Sequence, residues 1–269
     1  MPASITIRSS YLTGYSDCPR KVAAHIIPDE IKVLGYDFPI QPKGIGSIVG
    51  NAAHLAAATY MQDKLSHGEL TLNKNDGLDV AITEFRKEIV DGAIFDDTTP
   101  SKNDGESQLK ILNNAFFHTV CPVIIPLFVE NRFTAKLSDD WFLSGAPDVV
   151  TADSVPDWKF GRIARAHYQQ VGGYKLLIDN CLSTDIRKGT VYSIPRTPLK
   201  KQFAGVAIKE YDVDACARSA FAVYNHIKRD VELFRETGDP ECFLANRSSM
   251  LCTPKYCQCY GTAWCELSI

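Results

Sequence analysis

Between Gly145 and Lys159 the chain reads Gly-Ala-Pro-Asp-Val-Val-Thr-Ala-Asp-Ser-Val-Pro-Asp-Trp-Lys. A turn centred between Ala152 and Asp153 sets Asp148 directly opposite Asp157, and directly paired residues hold their Cβ atoms about 4.5–5.5 Å apart. Lys159 follows Asp157 by two residues and so points to the same face. One spot thus receives two carboxylates and one ammonium. Carboxylates that close repel each other unless a cation sits between them. Oxygen-only ligands favour a hard ion, Mg²⁺ or Mn²⁺, over zinc. A protonated lysine cannot ligate, but it can hold or deprotonate a water beside the metal, or steady a phosphate. The competing reading is a surface hairpin with Asp–Lys ion pairs, and Pro156 weakens the assumed ladder.

Two helical patterns add donors. Ser47, Gly50, Asn51 and His54 share one face of a small-residue helix, with no bulk to keep a partner away. A helical His is also a common structural residue. Gln170 and Tyr174 stand at i and i+4, on one helix face. Gly172 and Gly173 between them each cost a helix interior about 1 kcal/mol relative to Ala, which points to close backbone packing there.

Nine cysteines are present. Cys18, Cys121, Cys181, Cys216 and Cys242 are scattered, whereas Cys252, Cys257, Cys259 and Cys265 crowd together near the end. A reducing compartment disfavours disulfides. Crowded thiols then suggest zinc or iron–sulphur ligation, against a chance cluster.

The elements that must position these residues fall in a clear order. Short helical spacing runs from Tyr11 to about His25, with Ser9 or Ser10 as cap, followed by a proline-bearing connector over Pro28–Pro42. Helices are predicted over Gly44–Ser66, Leu78–Ile94 and Ser107–Phe128, the last bent or ended early by Pro122 and Pro126. Polar loops over Thr71–Asp76 and Asp96–Gly105 separate them. Strand patterns occupy Glu130–Leu137, Trp141–Thr151 and Val155–Phe160. Helical spacing returns over Ile163–Asn180, strands over Gly189–Ile194 and Gly205–Tyr211, and a long helix over Asp212–Thr237, capped by Asp212 and closed by Gly238. The expected fold class is α/β: a helical part over residues 10–128, a small mixed catalytic sheet core over 129–211, and a C-terminal helix and cysteine-rich tail over 212–269, all in one domain.

The composition fits a globular chain: 269 residues, 45% hydrophobic and 23% charged. That excludes a disordered tail protein, a collagen-like repeat and a membrane bundle, and no apolar stretch reaches the roughly 20 residues of a spanning helix. No signal peptide is read at Met1–Ser9, so the expected location is the cytoplasm. Net charge is −3, which does not announce a nucleic-acid binder. The distribution says more. Arg187, Lys188, Arg196, Lys200, Lys201 and Lys209 fall in one acid-free stretch, and Lys159, Arg162, Arg165 and Lys175 in another. These stretches are either solvated faces or an anion-binding face.

Tyr15-Ser-Asp-Cys18-Pro19-Arg20-Lys21, Gly50-x-x-x-His54, Gly145-x-x-Asp148, Asp157-x-Lys159, Gln170-x-x-x-Tyr174 and the C-terminal cysteines occur in one order. In this the chain resembles the RecB-like branch of the PD-(D/E)XK nucleases that carries an iron–sulphur cluster. Relatives of that branch include CRISPR-adaptation exonucleases, AddB-type nuclease domains and RecB-like phage nucleases. The resemblance spans roughly Tyr11 to Cys265. It implies a restriction-endonuclease-like core and a metal-dependent deoxyribonuclease, exonucleolytic on single-stranded DNA or DNA ends. The setting it implies is recombination, repair or phage DNA metabolism in a bacterial or phage-infected cell, with a possible helicase or recombination partner. His54, Asp148 and Asp157 match the family's metal ligands, Lys159 its catalytic lysine, and Gln170 and Tyr174 the helix residues that touch substrate or brace the metal. Glu130 is a candidate accessory acid. Cys18 matches the family's N-terminal ligand of a 4Fe–4S cluster, and the favoured set is Cys18, Cys252, Cys257 and Cys265 with Cys259 as the spare, although Cys259-x5-Cys265 is the interval that the family keeps. The chain departs from the family in carrying Asp157 where Glu is common, and in the wider spacing Cys252-x4-Cys257-x7-Cys265. The same four thiols also suit zinc. The alternative is a non-catalytic DNA-binding or assembly subunit that keeps the fold and cluster.

Overall fold

The computed structural model describes residues 4–39, 42–90, 92–161 and 167–266. It is mixed α/β, about half helical, with small sheets. The chain opens with β1 (Ile5–Arg8), α1 (Ser9–Asp17), α2 (Pro19–Ile26) and α3 (Pro28–Val33). The single helix expected from Tyr11 to His25 is thus broken at Cys18, which is extended with φ −149° and ψ 96°. A residue before proline is pushed out of the helical region, so Pro19 forces this break and sets Cys18 in the gap. No side chain caps α1, so neither Ser9 nor Ser10 serves as its cap.

Three helices follow: α4 (Ile45–His67), α5 (Lys74–Ile89) and α6 (Lys102–Thr119). α5 and α6 both start earlier than their apolar spacing suggests, because Asn73 and Ser101 cap them from within the two polar loops. α4 buries Ala52, Ala53, Ala56 and Ala57, and these small side chains let its neighbours approach closely.

The strands form three small sheets where one had been expected. β4 (Trp141–Gly145) lies between β1, parallel, and β3 (Phe133–Ser138), antiparallel. β2 (Phe128–Val129) pairs antiparallel with β5 (Val149–Val150). β7 (Lys188–Ser193) lies between β6 (Ser154–Lys159), parallel, and β8 (Ala207–Asp212), antiparallel. The strand expected over Trp141–Thr151 therefore splits after Gly145, and its two halves join different sheets. Pro147, which lacks an N–H, falls in the break.

α7 (Tyr168–Cys181) and α8 (Val213–Thr237) pack against each other, and α7 also packs against α1. The start expected for α7 at Ile163 lies outside the described residues. A Cβ on Gly172 would meet the Cys216 carbonyl oxygen at 2.0 Å, and one on Gly173 would meet Leu12 and Ser9 at 3.0 Å. The two glycines are the close-packing points expected of them. Asp212 caps α8 through the amides of Asp214 and Ala215, and Gly238 ends it in the left-handed region at φ 69°.

The core has two clusters. One gathers α1, α7, α8 and the β1–β4–β3 sheet, including Leu12, Leu143, Leu177 and Ile227. The other gathers α4, α5 and α6 with Trp158 and Phe160. β5 and β6 run along the seam, with Val150 and Val155 in the first cluster and Val149 and Trp158 in the second.

Candidate functional site

The seam places the acidic residues. The turn at Ala152-Asp153 forms as expected, closed by the Thr151 N–H on the Ser154 carbonyl at 2.9 Å. It does not open into a hairpin ladder. Among the described residues β5 pairs with β2 and β6 pairs with β7, not with each other. Asp148 and Asp157 nonetheless come together, because the Trp158 N–H donates to Asp148 Oδ2 at 2.7 Å. Pro156, which argued against a ladder, sits in the edge strand β6, where a missing N–H is tolerated.

His54 enters from α4, with Nδ1 3.5 Å from Asp148 Oδ1 and its ring edge-on to Phe160 at 5.1 Å between centroids. Glu130 enters from the link between β2 and β3. It is not the first residue of a strand. Its φ is 51°, and its N–H donates to the Asp148 carbonyl at 3.1 Å. A non-glycine residue in the left-handed region is uncommon and is stabilised only by its surroundings. His54, Glu130 and Asp148 each place one ligand atom within 4.8 Å of the other two, so they could hold a metal ion. The sequence signal for Glu130 was faint: one acid upstream of the Asp148 segment.

Asp157 is fully buried, and Lys159 Nζ lies 2.9 Å from its Oδ1 and 2.8 Å from its Oδ2. Only the first contact has hydrogen-bond geometry, so Oδ2 is a buried acceptor without a hydrogen bond. Gln170 donates through Nε2 to the Tyr174 hydroxyl at 2.7 Å, which confirms the i, i+4 pairing on α7. Tyr174 faces the same acids. Burial first, then the charges of Asp157 and Asp148, push its phenol well above the ordinary value.

The electrostatics show an excess of negative charge. Burial pushes Asp157 up to about 6, assisted by Asp148 and opposed by Lys159. Desolvation, together with the Asp148 charge, pushes Glu130 up to about 7, although the residue as a whole is exposed. Burial also works against an ionised Asp148, but His54, Lys159 and the Trp158 amide hold it below the ordinary range. Burial disfavours charged His54 and Lys159 too, and there the neighbouring carboxylates prevail and raise both. Strong shifts of this kind cluster at functional sites.

The basic stretches are less available than their sequence suggests. Arg196 is buried and donates to both carboxylate oxygens of Asp96, at 3.0 and 2.8 Å. Arg187 pairs with Asp185, Lys175 with Asp179, and Lys188 lies 3.8 Å from Glu210. Lys200 and Lys201 are exposed. Arg162 and Arg165 lie outside the described residues.

The C-terminal tail folds onto the break between α1 and α2, where Asn246 donates to the Asp17 carbonyl and Ser249 to the Asp17 carboxylate. Arg20 is buried and donates to the carbonyls of Phe243, Trp264 and Pro240 and to Glu241, while Trp264 Nε1 returns a bond to the Arg20 carbonyl at 3.0 Å. This anchoring role was not read from the sequence, although Arg20 lies within the Tyr15–Lys21 motif. The docked tail brings Cys18, Cys252, Cys257, Cys259 and Cys265 into one another's field: the thiols of Cys252 and Cys265 are raised by burial and then by Cys257 and Cys18. A hydrogen bond from Cys259 lowers Cys257 to about 6. Among the described residues no three thiols close to the spacing that the His54 group shows.

The chain matches no protein-family description, and no curated protein is significantly similar to it. Among solved structures, LHK-Exo in complex with dAMP aligns with 70% of this chain and 96% of its own, at 11% identity and a TM-score of 0.31. No helix among the described residues is long and apolar enough to cross a membrane.

Proposed function

We propose that the chain is a metal-dependent deoxyribonuclease with a PD-(D/E)XK core of the RecB-like kind, acting as an exonuclease on single strands or DNA ends. The observation that carries this reading is the convergence of His54, Glu130 and Asp148 beside the buried Asp157–Lys159 pair. The fit to a hard divalent ion rests on charge and on donors: three carboxylates face one another, two of them pushed up, and Asp157 Oδ2 is buried without a hydrogen bond. His54, Asp148 and Asp157, with Glu130, would hold Mg²⁺ or Mn²⁺. Bound there, the ion supplies charge neutralisation on the phosphate and lowers the pKa of a water.

The residues of the chain do the rest. Asp157 keeps the Lys159 ammonium at the rim of the acids, where it can orient a water and hold or pass its proton. Tyr174, kept protonated by its surroundings and accepting from Gln170, presents a hydroxyl beside the carboxylates. Lys200, Lys201 and Lys209, the last over the Tyr211 ring, are exposed cations of that stretch that could follow a DNA backbone. In the tail we assign Cys18, Cys252, Cys257 and Cys265 to a 4Fe–4S cluster, with Cys259 as a hydrogen-bond donor to Cys257. The cluster's role is to fasten the tail. A helicase or recombination partner and a cytoplasmic setting belong to the same reading.

The test is cleavage of end-labelled single- and double-stranded DNA with Mg²⁺, Mn²⁺ or EDTA. Cleavage that needs the metal and disappears in Asp148→Ala supports the reading. DNA binding without cleavage under any of these conditions overturns it in favour of a non-catalytic subunit.

A further inference from the structure

A cleft of about 630 Å³ opens between the start of α5, one face of α6 and the loop that leads into β8. It shares no residue with the candidate metal centre. Its size falls within the range of small-molecule sites, about 300–1,000 Å³.

Three kinds of surface meet there. Leu78, Ile111, Ala115, Phe203 and Val206 make an apolar wall. Lys74 and Lys110 bring ammonium groups, His118 an imidazole, and no carboxylate lines the cleft. Of the acids nearby in sequence, Asp76 accepts from the Asn73 N–H at 2.7 Å and Glu106 is paired with Arg86 at 2.8 Å while also feeling the charge of Lys110; Asp79, next to Leu78, is exposed and does not line the cleft. Asn75 and Asn114 add side-chain amides, and Lys74 Nζ spans from α5 to α6 to reach Asn114 Oδ1 at 3.1 Å.

The floor is fixed. Buried Asn113 donates to the Lys74 carbonyl at 2.9 Å, and the Tyr60 hydroxyl of α4 donates to that carbonyl at 2.7 Å. Gln108 of α6 donates to the Thr197 carbonyl at 3.1 Å, which anchors the start of the loop carrying Phe203. The backbone under the walls is therefore held in place, and the Lys74–Asn114 bond sets those two side chains across the mouth of the cleft.

We propose that this cleft binds a nucleotide. An aromatic and aliphatic wall suits the face of a base, since base–aromatic stacking tolerates any base. Amide side chains pair with the donor and acceptor edge of a purine. Two lysines in a lining that holds no carboxylate suit a phosphate. The nucleotide comes either from a DNA strand passing over α5 and α6 or from a free nucleoside monophosphate.

Calorimetry in EDTA on the full chain tests this with three probes: AMP, a short oligothymidylate and inorganic phosphate. Either AMP or the oligonucleotide binds, and phosphate alone binds at least tenfold more weakly. Binding of AMP alone identifies a free nucleotide, and binding of the oligonucleotide alone identifies a strand. Phe203→Ala weakens binding by roughly 5- to 100-fold, as loss of a stacking ring does. Because Phe203 is partly packed on the core, the exposed pair Lys110→Ala and Asn114→Ala serves as a second variant, with circular dichroism confirming the fold. Asp148→Ala binds as the wild type does, which separates this site from the metal centre. No binding of either nucleotide probe, equal binding of phosphate, or binding lost in Asp148→Ala and kept in the cleft variants overturns the proposal.

Discussion

The Trp158 N–H donates to Asp148 Oδ2 across 2.7 Å, so a side chain joins two strands that share no ladder. Asp148 is therefore a structural acceptor as well as a candidate ligand, whereas Asp157 makes no such backbone bond. The two acids are expected to behave differently when removed.

Asp148→Ala leaves a buried amide without its acceptor, a loss of about 1–3 kcal/mol. Asp157→Asn removes a buried carboxyl whose pKa is raised to about 6, so at neutral pH the apo-protein is relieved of an unfavourable charge. Both variants should lose cleavage. Melting in EDTA at pH 7 should show Asp148→Ala below the wild type and Asp157→Asn at or above it. Wild-type cleavage in either variant would falsify the site.

Glu130 supplies the pH dependence. Its carboxyl is pushed up to about 7 from an ordinary 4.5, so in the apo-protein the folded state holds a proton that the unfolded chain has released. That contribution is complete below about 4.5 and is lost as pH rises through 7. A bound divalent ion reverses the preference, because it needs the carboxylate. Mn²⁺ affinity should rise by up to roughly tenfold per pH unit below 7. Titrations in buffers of different ionisation enthalpy should show proton release at pH 6, reduced in Glu130→Gln. Affinity flat from pH 5 to 8 would remove Glu130 from the ligand set.

Asp96 and Arg196 give an acid limb of the opposite sign. Burial alone would raise Asp96, but the bonds from Arg196 and the amides of Thr99 and Thr98 hold it at about 2. The stability this contributes is present above the unfolded value near 3.8 and is lost as pH falls through 2. Asp96→Ala strands a buried guanidinium and should cost about 3–5 kcal/mol in urea unfolding at pH 7. A cost below about 1 kcal/mol would mean that Arg196 finds water instead.

Much of this arrangement was legible from residue types. The order Asp148, Asp157, Lys159, the Gln170–Tyr174 pair and the capped long helix each rest on local spacing, and the structure keeps all of them. Other features depend on packing partners that are distant in sequence. The Asp148–Asp157 approach was reached through the wrong pairing, because strand partners are chosen across the whole chain. Glu130 has the position of a first strand residue in the sequence, but it lies in the β2–β3 link at φ 51° with its N–H on the Asp148 carbonyl. Arg196 belongs to a basic stretch in the sequence, but it is buried and paired with Asp96, 100 residues away.

Gly172 tests how α7 positions Gln170 and Tyr174. Its missing Cβ would lie 2.0 Å from the Cys216 carbonyl oxygen and 2.3 Å from the carbonyl carbon, which is backbone and cannot rotate away. Gly172→Ala should therefore part α7 from α8, destabilise by about 1–3 kcal/mol or more, and reduce cleavage with every acid intact. Gly173→Ala meets only the side chains of Leu12 and Ser9 at 3.0 Å and should be milder. Equal effects from the two substitutions would show that helix spacing does not govern the site.

The tail prediction separates its two fastenings. Arg20 holds the tail through a planar fork reaching three carbonyls, a geometry a lysine cannot reproduce. Cys18, two residues earlier, faces the tail thiols. A cluster joining Cys18 to Cys252, Cys257 and Cys265 closes a loop of more than about 230 residues, which in the chain-entropy treatment of a crosslink contributes on the order of 5 kcal/mol. Cys18→Ser should then give colourless, poorly soluble protein. Cys259→Ser should stay brown and active, because it removes a hydrogen-bond donor and not a ligand. Arg20→Lys should keep the colour but make the segment after Pro240 sensitive to limited proteolysis, since the thiols remain while the backbone anchors are lost. If anaerobically purified protein lacks absorbance near roughly 400 nm and carries stoichiometric zinc, the iron–sulphur assignment fails. The metal centre at His54, Glu130 and Asp148 shares no residue with this cysteine set, so its test stands whatever the tail holds.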